Sequence, residues 1–408
     1  MTPSLISSRA PVRGARAMRA TLLALCAAAL LAACGSDSDP PPPIQLKRQP
    51  TPLAVTLPAA ATTAAAGWAH TCAITAGGAL QCWGANGWGQ LGNGGASVPC
   101  VEGYARCSNG PVAVTAPPAQ WSRIAAGLRH SCGLDAAGAA FCWGANYAAQ
   151  LGSNTSNGSA VPVAVLGGLT YSALAVSLTG DLSCGIAAGN ALHCWGRGFL
   201  GQFGQGTTTT VSTTPLRVGA TQTFTTVALG DLHACALDAA GALFCWGANG
   251  HGQVGDGSTT DRLVPTAALG GRSYTQLVTG VAHSCALDAA GVAYCWGSAH
   301  QIGRASTTAI ERATPTAVAG AQRFVRIAAG AEHTCGLEAG GQLWCWGAND
   351  VSQFGDGGTT SSLEPRRIDG VPAFAQLVAG GGHTCGLTAA GAMSCWGATT
   401  YGQRGSLP

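Results

Sequence analysis

Short apolar segments alternate with glycine-rich turns along most of the chain. From residue 52 onward, runs such as 124–126 and 163–165 are apolar, and glycine, proline or asparagine follows each within a few residues. Such runs between turn residues are typical of β-strands. Continuous helical periodicity, with apolar residues three and four positions apart, is absent. The pattern predicts an all-β body.

The strand pattern repeats seven times. Two cysteines separated by nine residues, the second followed by Trp-Gly, recur with steps of 60, 52, 51, 50, 50 and 50 residues between first cysteines. Each unit holds four strand candidates: one after a proline, one ending in glycine, one with His-x-Cys and one with Cys-Trp-Gly. Four strands per unit of about 50 residues predict a seven-bladed β-propeller with four-stranded antiparallel blades.

The third and fourth strand candidates of each unit form a predicted hairpin. If Cys72 lies opposite Cys82, antiparallel pairing places Thr75 opposite Ala79 and leaves residues 76–78 as a three-residue loop. Such loops favour glycine or asparagine at their last position, where φ is positive. The residues at that position are Gly78, Gly138, Asn190, Gly241, Gly291, Gly341 and Gly391.

The same register predicts one cross-strand disulfide per blade, because it makes the two cysteines a non-hydrogen-bonded pair. The pairs are Cys72 with Cys82, Cys132 with Cys142, Cys184 with Cys194, Cys235 with Cys245, Cys285 with Cys295, Cys335 with Cys345 and Cys385 with Cys395. An extra segment of the first unit, residues 93–110, carries Cys100 and Cys107, which we expect to form an eighth disulfide within a surface loop. That loop is also a candidate for binding contacts.

The unit resembles the repeat of the regulator of chromosome condensation family. It reads P-x-x-V, then A-A-G-x-x-H-x-C-x-L, then C-W-G-x-N-x-x-G-Q-x-G, as in residues 82–92. The resemblance covers residues 52–408 and implies a seven-bladed β-propeller. The eukaryotic namesake of the family promotes nucleotide exchange on a small GTPase. The third unit departs from the pattern, with Thr179 in place of glycine and Leu182 in place of histidine.

The N-terminal segment reads as an export signal. Four arginines precede an apolar run, residues 21–33, which is too short for a membrane span. The sequence Leu31-Ala32-Ala33-Cys34 resembles a bacterial lipobox, so residues 1–33 are a predicted signal peptide and Cys34 a predicted lipidation site. Ordinary secretion with an incidental cysteine is the alternative. Residues 34–51, rich in proline, form a predicted tether, with the propeller at residues 52–408.

Charge and cysteine content narrow the function classes. The formal net charge is +3, but removal of residues 1–33 leaves 16 basic and 17 acidic residues, a balance of −1. A nucleic-acid partner is therefore not expected. Eighteen cysteines indicate an oxidising compartment. We expect an exported monomer, held at the bacterial outer membrane or cell surface by its lipid anchor alone. Such a body is kept apart from any small GTPase, which argues against nucleotide exchange.

The histidines of the repeats are expected to have a structural role. Histidine stands two residues before the first cysteine in six units, at His70, His130, His233, His283, His333 and His383. Each could join two cysteines in a zinc site, but the oxidised cysteines and the implausibility of a metal site in every repeat favour a structural histidine between blades. No phosphate-binding loop and no Ser-His-Asp arrangement stand out, so neither an enzyme nor a cofactor is expected.

Six of the seven turns before Gln-x-Gly hold an aromatic residue, and its identity varies. The residues are Trp88, Tyr147, Phe199, His251, His300 and Tyr401. Exposed aromatic side chains suit a protein ligand, and a glycan or cell-wall ligand is the alternative. Packing against the neighbouring blade is a third interpretation. The sequence therefore predicts a binding scaffold whose ligand contacts one face of loops.

Overall fold

The computed structural model describes residues 48–100, 106–115, 118, 120–305 and 311–405. The chain separates into two units, residues 1–45 and 46–408, and all described residues belong to the second. The predicted signal peptide, Cys34 and most of the predicted tether lie outside the described residues. Within the described ranges, no helix is long and apolar enough to cross a membrane.

The described residues form short strands and two single-turn 3-10 helices, Ala188–Asn190 and Ala299–Gln301. In chain order the strands are β1 (Arg48–Val55), β2 (Ala61–Ala66), β3 (His70–Thr75), β4 (Leu80–Ala85), β5 (Val98–Pro99), β6 (Arg106–Ala113), β7 (Trp121–Ala126), β8 (His130–Asp135), β9 (Ala140–Gly144), β10 (Ser159–Ala164), β11 (Tyr171–Val176), β12 (Leu182–Ala187), β13 (Ala191–Arg197), β14 (Val211–Arg217), β15 (Thr226–Leu229), β16 (His233–Leu237), β17 (Leu243–Gly247), β18 (Arg262–Ala267), β19 (Tyr274–Thr279), β20 (His283–Asp288), β21 (Ala293–Ser298), β22 (Glu311–Ala317), β23 (Phe324–Ala329), β24 (His333–Glu338), β25 (Leu343–Gly347), β26 (Ser362–Ile368), β27 (Gln376–Ala379), β28 (His383–Leu387) and β29 (Met393–Ala398).

Seven antiparallel sheets form the predicted seven-bladed propeller. From the innermost strand outward, blade 1 is β2-β3-β4-β6-β5, blade 2 is β7-β8-β9-β10, blade 3 is β11-β12-β13-β14, blade 4 is β15-β16-β17-β18, blade 5 is β19-β20-β21-β22, blade 6 is β23-β24-β25-β26 and blade 7 is β27-β28-β29-β1. The innermost strands of successive blades contact one another, including β27 with β2.

Each blade is offset by one strand from the sequence unit. The strand that carries the repeat proline, first in the sequence unit, is the fourth strand of the preceding blade. The ring closes because β1, from the beginning of the described chain, pairs with β29 near its end; Val55 lies opposite Met393. This strand begins at Arg48, four residues before the boundary expected for the propeller.

The predicted hairpin register is present in every blade. Cys72 lies opposite Cys82, and the backbone N–H of Thr75 donates to the carbonyl of Ala79 at 2.8 Å. All seven predicted turn positions have positive φ, including Asn190 at 59°. Spacing and turn chemistry within one unit therefore determine its register.

The seven predicted cross-strand disulfides are confirmed, one in each blade. They join Cys72 to Cys82, Cys132 to Cys142, Cys184 to Cys194, Cys235 to Cys245, Cys285 to Cys295, Cys335 to Cys345 and Cys385 to Cys395. Their Cα atoms are 4.0–4.1 Å apart. So short a separation is characteristic of non-hydrogen-bonded pairs, in which the side chains of opposite residues approach most closely. Each bridge therefore lies between the second and third strands of its blade.

Proline protects the outer rim of the propeller. A sheet edge exposes unpaired backbone groups that can recruit another chain, and proline removes one donor from such an edge. Each blade has a proline in its fourth strand, at Pro52, Pro111, Pro162, Pro215, Pro265, Pro315 and Pro365. The proline that marks the repeat therefore limits association through the blade edges.

A buried hydrogen-bond relay joins neighbouring blades. Between blades 1 and 2, His70 Nε2 lies 2.8 Å from Ser131 Oγ, and that hydroxyl donates to the Gln90 carbonyl at 2.9 Å. The Trp143 indole N–H donates to the same carbonyl at 2.9 Å. All seven Cys-Trp-Gly tryptophans make this bond to the preceding blade, at 2.8–3.0 Å.

The six repeat histidines are neutral parts of this relay. Because the Ser131 hydroxyl donates to a carbonyl, it accepts from His70 Nε2–H, which leaves Nδ1 unprotonated; Nδ1 has no hydrogen-bond partner among the described residues. Burial lowers the histidine pKa values to about 3 or about 4. The structural role predicted for these histidines is therefore confirmed, since each bonds a serine or threonine of the next blade.

Glycine precedes these histidines because the blades approach closely there. A Cβ atom on Gly280 would lie 2.6 Å from the carbonyl oxygen of Gly330 in the next blade and 2.5 Å from Nδ1 of His283. Real Cβ atoms do not approach other atoms so closely. The A-A-G-x-x-H motif therefore combines an innermost strand, a contact to the next blade and the histidine of the relay.

The boundary between blades 3 and 4 replaces the polar pair with an apolar one. Leu182 stands in place of histidine, and Ala234 stands in place of the serine or threonine; both are buried in one apolar cluster. The loop before Leu182 is two residues longer than in other blades. Ser177 therefore takes the glycine's place, which corrects the assignment of Thr179, and its hydroxyl donates to the Gly230 carbonyl at 2.6 Å.

We predict that the relay tolerates loss of both partners better than loss of one. Thr384→Ala leaves the His333 Nε2–H buried without an acceptor and should cost about 1–3 kcal/mol of unfolding free energy. Adding His333→Leu should restore most of it, because the pair then resembles Leu182 and Ala234. Denaturant unfolding measures both variants. A double variant no more stable than the single one would contradict this explanation.

We also predict that acid weakens the propeller well before its carboxylates titrate. The unfolded histidines bind protons below their ordinary pKa of about 6.5, whereas the folded ones stay neutral down to about 3 or 4, so the unfolded state binds more protons. Stability should fall as pH drops from about 6.5 to 4, by up to about 1.4 kcal/mol per pH unit for each histidine. Denaturant midpoints, with disulfides intact, measure this.

The double variant Thr384→Ala with His333→Leu is the matched control for the pH series. It keeps five of the six relay histidines, so the histidine contribution to its loss of stability per pH unit should be smaller by about one sixth. Equal slopes in the two proteins would show that other groups cause the acid sensitivity.

Candidate functional site

The connections at one end of the blades form a surface that we call the loop face. It includes the segments that join the innermost strand to the second strand, such as 127–129, and those that lead from the third strand to the outermost one, such as 145–158. The three-residue hairpin turns lie at the opposite end, the hairpin face. There Asp135, Asp238 and Asp288 each accept two backbone N–H groups of their turn.

The structure distributes the six predicted contact residues around the loop face. Trp88, Tyr147 and Phe199 are 52%, 42% and 40% exposed, and the two histidines, His251 and His300, are also exposed. Tyr401 is half-buried. Trp88 and Tyr147 come together, with ring centroids 5.6 Å apart, whereas the other four residues lie in turns of four different blades.

Arg129 lies against both aromatic rings. Its guanidinium carbon is 5.7 Å from the centroid of Trp88 and 6.0 Å from that of Tyr147, within the range of cation–π attraction. Its Nη1 donates to the Tyr147 hydroxyl at 2.8 Å. The side chain of an arginine from the loop before β8 is thereby fixed between two exposed rings.

Asp181 extends this arrangement into blade 3. The Tyr147 hydroxyl donates to its Oδ1 at 2.8 Å, and Gln150 Nε2 donates to the same oxygen at 3.0 Å. Arg197 Nη1 lies 3.8 Å from Oδ2, and its guanidinium carbon is 5.8 Å from the Tyr147 centroid. Burial and the bond to Asp181 raise the pKa of Tyr147, which keeps its hydroxyl protonated. Trp88, Arg129, Tyr147, Asp181 and Arg197 together are the aromatic–arginine site.

The inter-blade relay supports this site from below. The Trp88 N–H donates to Gln90 Oε1 at 2.9 Å, and the Gln90 carbonyl is the acceptor shared by Ser131 and Trp143. In blade 2 the side-chain oxygen of Gln150 caps the same turn, through the N–H of residue 148 at 3.0 Å. The exposed rings therefore stand on turns that are locked to a buried network.

Three residues of the site were not predicted from the sequence. Arg129 and Asp181 each directly precede the position of the repeat histidine, where three other blades have Ala69, Leu232 and Ala282. A charged residue at a position that is apolar in those blades was a usable signal. Arg197 stands at the end of β13, where the third unit departs from the motif.

The central channel offers no reactive groups. Its cavity, of about 340 Å³, is lined by the innermost strands of all seven blades, mainly by alanine, valine, leucine and isoleucine. Its amide, Gln276, is bonded in both directions to the backbone of Ile327 at 3.0 Å. No titratable side chain lines this cavity, and the described residues contain no cluster able to hold a metal ion.

The extra loop of blade 1 lies next to the outermost strand. Cys100 and Cys107 are joined there, with Cα atoms 5.4 Å apart, and the short strand β5 pairs with β6. Residues 101–105 fall outside the described residues.

The disulfides of the seven blades and of this loop together indicate an oxidising, extracellular environment.

Solved structures with this fold cover most of the chain. Human WBSCR16 has a TM-score of 0.71 at 20% identity, over 86% of this chain and 89% of that one. Prp20p from Saccharomyces cerevisiae has a TM-score of 0.65 at 19% identity, over 82% of each chain. At these identities the likeness shows the fold.

Sequence relatives are much longer than this chain. The probable E3 ubiquitin-protein ligase HERC4 of Mus musculus is 29% identical over 210 residues, which are 50% of this chain and 19% of the relative. The E3 ubiquitin-protein ligase HERC2 of Homo sapiens is 27% identical over 209 residues, which are 50% of this chain and 4% of the relative. The chain thus spans less than a fifth of the length of these relatives.

Family models match the repeats directly. Both are described as the regulator of chromosome condensation (RCC1) repeat; one matches residues 62–90, 121–150, 224–253, 324–353 and 374–403, and the other matches residues 190–237, 240–287, 290–337 and 340–387. Together these matches cover more than half of the chain. With this repeat running through seven blades that each hold an internal disulfide, the chain belongs to the RCC1 repeat family.

Proposed function

We propose that this propeller is an exported scaffold that binds a protein partner through its loop face. The observation that carries the proposal is the aromatic–arginine site, in which Trp88 and Tyr147 expose about half of their surface beside Arg129. Tryptophan, tyrosine and arginine are the residue types that contribute most to binding energy at protein interfaces. Without a bound partner, two adjacent aromatic rings expose apolar surface to water, and such exposed patches mark interaction sites.

Rigidity of the loop face supports the same proposal. Ordering flexible side chains and loops costs binding free energy, so a surface that is already ordered binds more tightly for the same contacts. Here Gln90 and Gln150 fix the two aromatic turns, and Asp181 fixes the Tyr147 hydroxyl. The site therefore needs little rearrangement when a partner binds.

Propellers of this fold bind proteins elsewhere. The structure of Prp20p is described together with binding to Gsp1p and histones, and yeast RCC1 has been solved bound to Kap60. For the present chain we propose protein binding of this general kind, without those partners, because its N-terminal sequence resembles an export signal.

Export and lipid anchoring are part of the proposal. The basic and apolar N-terminal segment, the lipobox-like sequence ending at Cys34 and the disulfides all favour a body held outside the cytoplasm. Lipidation at Cys34 would leave the proline-rich segment as a spacer between membrane and propeller. Catalysis is not part of this function.

The test removes the rings and compares the two faces. In capture from cell-envelope extracts with covalent cross-linking, the double variant Trp88→Ala with Tyr147→Ala should lose partner proteins that the unmodified chain retains, by about tenfold or more. Val325→Ala is the matched control, because Val325 is 54% exposed at the hairpin-face end of β23. Equal capture by all three proteins would contradict binding through the loop face.

A further inference from the structure

We infer that the aromatic–arginine site recognises an acidic peptide segment, with carboxylates of the partner bound by Arg129 and Arg197. This inference rests on the proposed function and names the chemistry of the partner at that site. Guanidinium groups bind carboxylates through paired N–H donors in a planar fork, which makes this contact both strong and directional.

The site holds more positive charge than it neutralises. Among the described residues, no carboxylate forms a salt bridge with Arg129, whose side-chain contacts are with Trp88 and Tyr147. Asp181 is buried, with its Oδ1 occupied by Tyr147 and Gln150. Its other oxygen is 3.8 Å from Arg197, a long contact for an ion pair. Both arginines thus retain guanidinium N–H donors for an incoming anion, since Arg129 uses one of its donors on the Tyr147 hydroxyl.

Arg129 is held in place before a ligand binds. One of its five N–H donors is used by the Tyr147 hydroxyl, and the two rings confine the guanidinium plane. An exposed arginine normally loses much side-chain freedom when it forms an ion pair, and this loss offsets most of the gain. A prearranged guanidinium avoids that loss, so the same pair contributes more here.

The distribution of carboxylates on the loop face favours an acidic ligand at this place. In the described loops of blades 2 and 3 on this face, Asp181 is the one carboxylate, and it is buried. Exposed carboxylates lie instead in the loops of blades 4 and 6, at Asp261, Glu332 and Asp350. An acidic segment is therefore attracted to the two arginines and repelled by the exposed carboxylates of blades 4 and 6.

A peptide fits the site better than other polyanions. Two arginines on one small patch contact few charges, whereas a nucleic acid requires a track of basic residues along its phosphates. The exposed indole of Trp88 beside the guanidinium offers an apolar surface for the side chain of a neighbouring peptide residue. A partner segment that combines carboxylates with an aromatic or aliphatic side chain uses both features.

Fluorescence anisotropy with labelled peptides tests the inference on the full chain. The probes are a glutamate-rich decapeptide with one tyrosine and its lysine-for-glutamate counterpart; polygalacturonate serves as a competing acidic glycan. The glutamate peptide should bind and the lysine peptide should not, and added salt should weaken binding. Arg129→Gln and Arg197→Gln should each weaken binding by roughly tenfold.

Arg272→Gln is the matched control. Arg272 also lies over an aromatic ring, 4.6 Å from the centroid of Tyr294, but belongs to a segment at the hairpin face, so its loss should leave peptide binding unchanged. Unchanged denaturant midpoints in all three variants separate loss of binding from loss of folding. Arg129→Lys retains the charge without the fork, and we expect it to restore only part of the affinity.

The outcomes distinguish this inference from the proposed function. If the glutamate peptide does not bind, or binds equally to Arg129→Gln, the inference is wrong. It is also wrong if polygalacturonate binds more tightly than the peptide with the same dependence on both arginines, which would indicate a glycan site. The proposed function survives either result as long as the variant lacking both the Trp88 and Tyr147 rings still loses protein partners, and it fails when that variant captures them normally.

Discussion

The hydrogen-bond relay between blades is the constraint on which this structure depends. A backbone carbonyl in each Gln-x-Gly turn accepts from the tryptophan of the next blade, and in most blades also from a serine or threonine that accepts from histidine. Every donor in this series of hydrogen bonds is buried, so a blade cannot shift without leaving a polar group unpaired. The regular spacing of the repeat follows from this requirement, and the turns of the loop face are held in place as a by-product.

Between blades 3 and 4 the tryptophan bond is kept, but the histidine and its hydroxyl partner are both replaced. Leu182 and Ala234 face each other across blades 3 and 4, in a cluster that also buries Phe203 and Phe224. An apolar pair of suitable size replaces a hydrogen-bonded pair at little cost, whereas removal of one partner does not. The neighbouring loop, two residues longer, forms its own bond through Ser177. The same loop ends in Asp181, so the irregular blade supplies the carboxylate that accepts from Tyr147 in the aromatic–arginine site.

Residue spacing within one unit predicted the hairpins, whereas the assembly of the blades depends on contacts between residues distant in sequence. Ten-residue cysteine spacing and the turn residues determine strand register without reference to other blades, which is why Asn190 was as informative as the glycines. The offset between unit and blade was not predictable in that way, because it depends on β1 meeting β29 from the far end of the chain. The aromatic residues were identified, but Arg129 and Asp181 were not. Arg129 lies in the same unit as Tyr147, but their contact depends on side-chain orientations that the strand pattern does not give, and Asp181 reaches Tyr147 from the neighbouring blade.

Ring closure by β1 imposes an order on the folding of this protein. Each blade disulfide joins cysteines ten positions apart, so a hairpin can be oxidised as soon as its own residues have emerged, whereas Val55 must wait for Met393. Entropy of loop closure makes so distant a contact slow. The hairpins can therefore be complete and oxidised while blade 7 still lacks its outermost strand. Until β1 pairs with it, β29 is an exposed sheet edge without proline. The fourth strands of the other blades carry proline, so β29 is then the edge most open to pairing with another chain.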